Sequence, residues 1–242
     1  MYEGKRVSVV MPAYDEAEGI EATVRGFVTH PWVDEVIVAD NNSTDDTARL
    51  AADAGARVVR EPRQGYGYAC RTALANATGD LIVLTESDDS FHAADLKILF
   101  AYIDHFDMVK GARSNRHLIE EGSDWTFPLM FGNWLVSKYM QVLYFGLKML
   151  EDVNLREAGG TFRVIRREAL QKIQPHLSEG RSAFLADMTT LALRTRLRIV
   201  EVPVRYRRRL GTSKITGNRL RATLLAMRMG GIITRNRFRR LT

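Results

Sequence analysis

The sequence predicts an α/β fold, a mostly parallel sheet with helices on both faces. Three observations carry that expectation. Short apolar runs of strand length alternate with helix-like segments through the first 110 residues. The first of these, VSVVM at 7–11, is a continuous apolar run. Polar, acid-rich clusters follow three of the runs: Tyr14-Asp15-Glu16, Asp40-Asn41-Asn42 and Glu86-Ser87-Asp88-Asp89. Open parallel sheets bind ligands at the carboxyl ends of their strands, where these clusters fall.

In chain order, a helix is expected over 17–29 and a second strand over 33–40. A short helix over 44–54 has Ser43 or Thr44 as its cap and Asp45 and Asp46 in its first turn. Strands are expected at 56–61, 80–86 and 106–111, with helices at 66–76 and 95–103 between them. The chain then changes character near 111–124. Residues 125–150 are strongly apolar, with a narrow polar stripe at Asn133, Ser137, Lys138, Gln141 and Lys148. The apolar arc is too wide for a helix that covers a core on one side only, so this helix is either buried on most faces or lies on a membrane or partner. A helix at 182–196, a strand at 197–207 with Pro203 bending it, and a basic amphipathic helix in the last 25 residues complete the reading. The chain divides into a front half, 1–111, a back half, 112–217, and the tail helix, 218–242.

The net charge of +6 is unevenly placed. No acidic residue follows Glu201, whereas twelve basic ones do; residues 1–204 carry 23 basic and 29 acidic residues and sum to −6. A basic end of this kind favours a polyanion: nucleic acid, a phosphorylated substrate or an anionic membrane. A single cysteine, Cys70, excludes an internal disulfide framework and a cysteine zinc site and fits a reducing, cytoplasmic compartment. The start shows no signal-peptide layout, and no uncharged apolar stretch is long enough to span a bilayer.

Glu86 and Asp88 flank one residue at a strand end, so both carboxylates can turn toward one point. Hard oxygen ligands so placed suit Mg²⁺ or Mn²⁺, which would also hold a diphosphate; a capped turn before the next helix is the plainer reading. Asp40, closing the second strand, is placed to accept hydrogen bonds from a ribose or base, against the alternative of ordinary turn chemistry. Arg63-Gln64-Gly65-Tyr66-Gly67 offers either a phosphate-binding helix start or a simple turn.

Taken together, six segments in order resemble the family-two glycosyltransferases with a GT-A, Rossmann-like fold, and within them the dolichyl (polyprenyl) phosphate sugar transferases. The segments are VSVVMPAYDEAEGI, IVADNNSTDDT, GYGYACRTAL, GDLIVLTESDD, GGTFRVIRREAL and YRRRLGTSKITG. The resemblance implies a nucleotide-sugar donor, a UDP- or GDP-sugar, with nucleotide contacts at Pro12, Tyr14, Glu16, Asp40 and Ser87. It implies a divalent ion at Glu86 and Asp88, with Glu86 standing where aspartate is usual. Glu157 and Asp187 also replace the customary acids, each with its charge retained. For a hydroxyl acceptor these two are the candidate general bases. For a lipid phosphate acceptor, Arg113, Arg163, Arg209, Ser213 and Lys214 are the candidate phosphate ligands. The apolar helix and basic tail then suit a protein peripheral to the cytoplasmic membrane face.

Two other acceptor and class readings compete. One is transfer to a soluble or cell-wall glycan. The other is a nucleic-acid-binding protein, opposed by the scarcity of aromatics among the arginines and by the acidic strand ends. A nucleotidyltransferase would show a basic phosphate loop where MPAYDEAEG is acidic.

Overall fold

The computed structural model describes residues 1–123, 125–144, 155–211 and 219–241. Seven strands form one sheet: β1 (Val7–Ala13), β2 (Glu35–Asp40), β3 (Arg57–Arg60), β4 (Leu81–Leu84), β5 (Met108–Ala112), β6 (Arg163–Arg166) and β7 (Ile199–Pro203). Their order is β3-β2-β1-β4-β6-β5-β7. The first four are mutually parallel, β6 runs antiparallel between β4 and β5, and β7 is parallel to β5. The eight helices among the described residues are α1 (Ile20–Val28), α2 (Thr47–Asp53), α3 (Tyr66–Asn76), α4 (Leu96–Ile103), α5 (Phe127–Tyr144), α6 (Arg167–Ile173), α7 (Phe184–Arg194) and α8 (Arg219–Phe238).

The strands read as apolar runs because both faces are covered. Along β1, Val7, Val9 and Met11 join a core with α1, α2 and α4. Val10 faces the opposite core, built with α3, α5, α6, α7 and α8. One sheet thus separates two helical layers and sets the strand ends in a row: Ala13 pairs with Asp40, and Asp40 with Arg60.

Three features differ from the sequence reading. β6 and α6 were not foreseen as elements: Arg163-Val164-Ile165-Arg166 is only four residues, and it gains its strand by pairing with β4 and β5. α2 begins at Thr47, not after Ser43 or Thr44. Those two side chains instead cross to the turn after β1, where Ser43 Oγ accepts from Asp15 N and Thr44 Oγ1 donates to Asp15 Oδ1. The long apolar helix is described only as far as Tyr144, and its expected extension over 145–150 lies outside the described residues.

α5 is apolar on both faces, with Val136, Met140 and Tyr144 in the core. Its polar residues turn inward: Ser137 is buried and donates to the Asn133 carbonyl, and Asn133 accepts from Gly159 N at 3.2 Å. Its exposed face carries Phe127, Phe131, Trp134, Leu135, Tyr139 and Val142.

α8 is bolted to the layer beneath it. Asn236, fully buried, donates to Asp187 Oδ1 at 2.7 Å and Thr190 Oγ1 at 2.8 Å. Arg228 pairs with Glu179, and the Arg194 guanidinium donates to the carbonyls of Asn236, Arg237 and Arg239.

The turn after β3 carries a pH-sensitive lock. Glu61 is buried and accepts from the Arg63 guanidinium, Arg63 N and Thr72 Oγ1. The Arg63 hydrogen bond, first among these, holds its carboxyl down from 4.5 to about 2. A carboxylate depressed in the folded state contributes stability above its unfolded pKa, and that contribution fades as pH falls through the folded value. The melting temperature is therefore expected to drop between pH 4.5 and about 2. Glu61→Gln, followed by circular dichroism, should flatten that drop while melting lower at pH 7.

Candidate active site

The strand-end turns are built from residues that tolerate unusual backbone. Asp15, Asn42 and Asp89, one after each of β1, β2 and β4, adopt left-handed φ of 50°, 63° and 60°. Asp and Asn enter that region more easily than other side chains. These sharp turns present Tyr14, Glu16, Asn41 and the Glu86-Ser87-Asp88 run to a cavity of about 270 Å³.

Of the residues the sequence singled out, the cavity brings together Pro12, Tyr14, Glu16, Glu86, Ser87, Asp88, Arg113 and Arg209. Ser87 Oγ donates to the Pro12 carbonyl at 3.0 Å, tying the end of β1 to the carboxylate turn. Asp40 stands beside this group, buried at the end of β2, and its Oδ1 has no hydrogen-bond partner among the described residues. A buried, unsatisfied carboxylate oxygen costs free energy and marks a place where a ligand donor would be welcomed.

Glu86, half-buried, and Asp88, buried, both face the cavity. Burial pushes the Glu86 carboxyl up, and the neighbouring Asp88 charge pushes it further. Glu86 Oε1 accepts from Thr161 Oγ1 and from Tyr66 OH. The longer glutamate arm thus reaches across from β4 to the segment before β6. Asp88 commits Oδ1 to Ser90, while Oδ2 lies 3.4 Å from Arg209. Two hard carboxylates facing one cavity, with the proton affinity of Glu86 raised by burial and by the Asp88 charge, are a donor set that fits a divalent cation.

Arg113 is held at the cavity by three groups. Glu157 takes its Nε at 2.8 Å and its backbone N at 2.7 Å, the Trp125 ring lies 3.6 Å from the guanidinium, and the Tyr206 ring lies 4.8 Å away. The far wall is apolar, formed by Trp125, Leu129, Leu225 and Met229 from the α5 and α8 side.

Several expected site residues lie elsewhere. Arg163 is fully buried within β6 and donates to the carbonyls of Thr161 and Gly160 and to Thr189 Oγ1. Burial pushes its pKa down to about 10, and it does not line the cavity. Asp187 is fully buried too: its oxygens accept from Ser178 N, Glu179 N and Asn236. Glu157 is spent on Arg113, beneath the cavity wall. Ser213 and Lys214 lie outside the described residues. The glycines at 65 and 67 serve packing, because a Cβ on either would strike the backbone of Glu179 or Gly180, and Tyr68 N already donates to Gly180 O. The start of α3 is thereby fixed against the turn at Gly180, with Gln64 and Tyr66 at the cavity.

Three site residues escaped sequence reading. Tyr66 and Thr161 meet at Glu86 from distant segments. Asn41 accepts from Gly65 N and donates to the carbonyls of Glu61 and Arg63, fixing the loop beside the cavity. Its only signal was its place directly after a strand-end aspartate.

A strand-end cavity with paired carboxylates is where an open α/β sheet of this order takes its ligands. The model of glycosyl transferase family 2 matches residues 8–174, and the chain belongs to that family as a glycosyltransferase. An uncharacterized glycosyltransferase of Mycobacterium tuberculosis is 33% identical over 226 residues, 93% of this chain and 95% of its own. A dolichyl-phosphate hexose transferase of Haloferax volcanii is 28% identical, covering 86% of each chain. The fold is GT-A. Glucosyl-3-phosphoglycerate synthase from M. tuberculosis, solved with Mn²⁺, UDP and phosphoglyceric acid, superposes with a TM-score of 0.73 at 20% identity over 99% of this chain and 81% of its own.

Proposed function

We propose that the protein transfers a sugar from a nucleotide-sugar, UDP- or GDP-linked, to a polyprenyl phosphate, with inversion at the anomeric carbon. Residues 1–111 supply the donor side; residues 112–217 and α8 supply the acceptor side. Pro12, Tyr14, Glu16, Asp40 and Ser87 hold the nucleotide. Glu86 and Asp88 would hold Mg²⁺ or Mn²⁺, which when bound supplies positive charge against the departing diphosphate. The same metal and nucleotide accompany the structural neighbour with UDP, and a dolichyl-phosphate transferase is among the relatives.

One observation carries the acceptor: neither carboxylate that the sequence offers as a base reaches the cavity. Glu157 is locked on Arg113, and Asp187 is locked under α8. A sugar hydroxyl acceptor needs a proton acceptor within hydrogen-bond reach. A phosphate monoester is already anionic near pH 7 and needs cations instead. Arg113 and Arg209 are at the cavity to supply them. A phosphate oxygen attacks the anomeric carbon as the bond to the diphosphate oxygen breaks, and the nucleoside diphosphate leaves with the electron pair. The apolar wall of Trp125, Leu129, Leu225 and Met229 fits the first isoprene units.

The exposed apolar face of α5 supports a peripheral place on an anionic membrane, where such an acceptor resides. Among the described residues no helix is long and apolar enough to cross a bilayer.

The test is a transfer assay with labelled UDP- and GDP-sugars and Mn²⁺. Acceptors are polyprenyl phosphate in anionic vesicles, 3-phosphoglycerate and an oligosaccharide. Label is expected in the organic phase with polyprenyl phosphate alone. Label on the oligosaccharide, or on phosphoglycerate in preference to the lipid, would refute the reading.

A further inference from the structure

The chain returns to the donor site through residues 204–211, and it does so as a strap. Tyr206 N donates to Leu118 O and Glu120 N to Tyr206 O. Arg207 N donates to Ser90 O at 3.0 Å, and Leu210 N to Asp88 O at 2.9 Å. The strap therefore lies along the carboxylate turn after β4, joined to it backbone to backbone. Arg209, between those two anchors, is not a loose surface arm. Its side chain is only 14% exposed, with one guanidinium nitrogen 3.0 Å and 3.2 Å from the two Glu16 oxygens and the other 3.4 Å from Asp88 Oδ2.

The position is chemically pointed. Glu16, Glu86 and Asp88 converge on one cavity and would repel one another without a cation among them. Asp88 Oδ1 is committed to Ser90, so Oδ2 is the oxygen left to turn toward a cation, and the cation it meets is Arg209. A divalent ion at Asp88 and the guanidinium therefore compete for the same oxygen.

We infer that Arg209 is a built-in counter-ion: anchored on Glu16, it stands in for the divalent cation at Asp88, and arrival of the metal with the donor diphosphate releases it toward an anion in the cavity. This rests on the proposed metal site and extends it to an order of events. The guanidinium is held on carboxylates until the donor side is loaded, so an anionic acceptor meets its full cationic complement only afterwards. No covalent step is involved; one ion pair is exchanged for another.

The experiment uses the full chain and Mn²⁺ alone. Isothermal titration compares wild type, Arg209→Gln and Arg209→Lys, with melting temperatures recorded at zero and saturating Mn²⁺. Removing the competing charge from a partly buried site should tighten Mn²⁺ binding in Arg209→Gln on the order of tenfold. The same variant should melt lower without metal and gain more from Mn²⁺ than wild type does. Arg209→Lys, which keeps the charge but not the fork that spans Glu16 and Asp88, should bind Mn²⁺ with an affinity between those of wild type and Arg209→Gln. Equal or weaker Mn²⁺ binding in Arg209→Gln, with binding intact in wild type, overturns the counter-ion alone. Absence of Mn²⁺ binding in all three proteins overturns both the counter-ion and the metal site beneath it.

Discussion

Deleting residues 218–242 is expected to abolish folding rather than to release a dispensable tail. The basic composition of this segment suggests a detachable membrane arm, but α8 contributes Met229, Ile232 and Ile233 to the core shared by α3, α5 and α7. Losing each such buried side chain costs about 2–5 kcal/mol, and a domain of this kind holds only about 5–15 kcal/mol in total. The deletion would also strip Asn236 from Asp187 and Arg228 from Glu179, leaving buried carboxylates short of partners. Leu225 and Met229 would vanish from the cavity wall. Circular dichroism and near-UV spectra of the truncated chain should show loss of tertiary structure, or the protein should be recovered only as aggregate. A cooperative melt within a few degrees of wild type would show that α8 is peripheral and that its burial contributes little.

Replacing Asp88 by Asn should leave the fold intact and remove transfer. The side chain keeps its shape and can still meet Ser90, so the turn after β4 survives. What is lost is the negative charge that pairs with a cation at the cavity. Removing one group that stabilises developing charge typically lowers the rate about 10²–10³-fold. The expected result is such a loss in the initial rate at saturating donor and Mn²⁺, with a melting temperature close to that of wild type. Activity within about tenfold of wild type would place the metal elsewhere. Glu86→Gln is expected to act less cleanly, because Glu86 is also the acceptor for Thr161 and Tyr66, so a change there disturbs the β4–β6 junction as well.

The proposed acceptor rests on where two carboxylates ended up. Read as residues in a row, Glu157 and Asp187 look like bases with arginines nearby. In the folded chain, each is a structural anchor. Glu157 orients Arg113 between two aromatic rings, and Asp187 joins the loop before α7 to α8. That loop carries Gly180, whose backbone packs against Gly65 and Gly67 at the start of α3. The same carboxylate therefore braces the donor-side loop from behind, without touching the cavity.

The sequence by itself determined the α/β class and the succession from β1 through β5, because apolar runs and helical periodicity are local signals that survive without tertiary context. It also placed Tyr14, Glu16, Asp40 and Glu86-Ser87-Asp88 at strand ends, since the strand register carries the residues after it to one edge of the sheet. Only the tertiary structure decided the rest. β6, four residues that begin and end with arginine, exists by antiparallel pairing with residues 53 and more positions earlier. The partners Arg113 with Glu157 and Asp187 with Asn236 stand 44 and 49 residues apart. Charge gives no address: a carboxylate pairs with whichever cation the returning chain brings into its low-dielectric neighbourhood. Which arginine faced solvent, which lay inside β6 and which came to line the strand-end cavity was therefore settled by packing, not by composition.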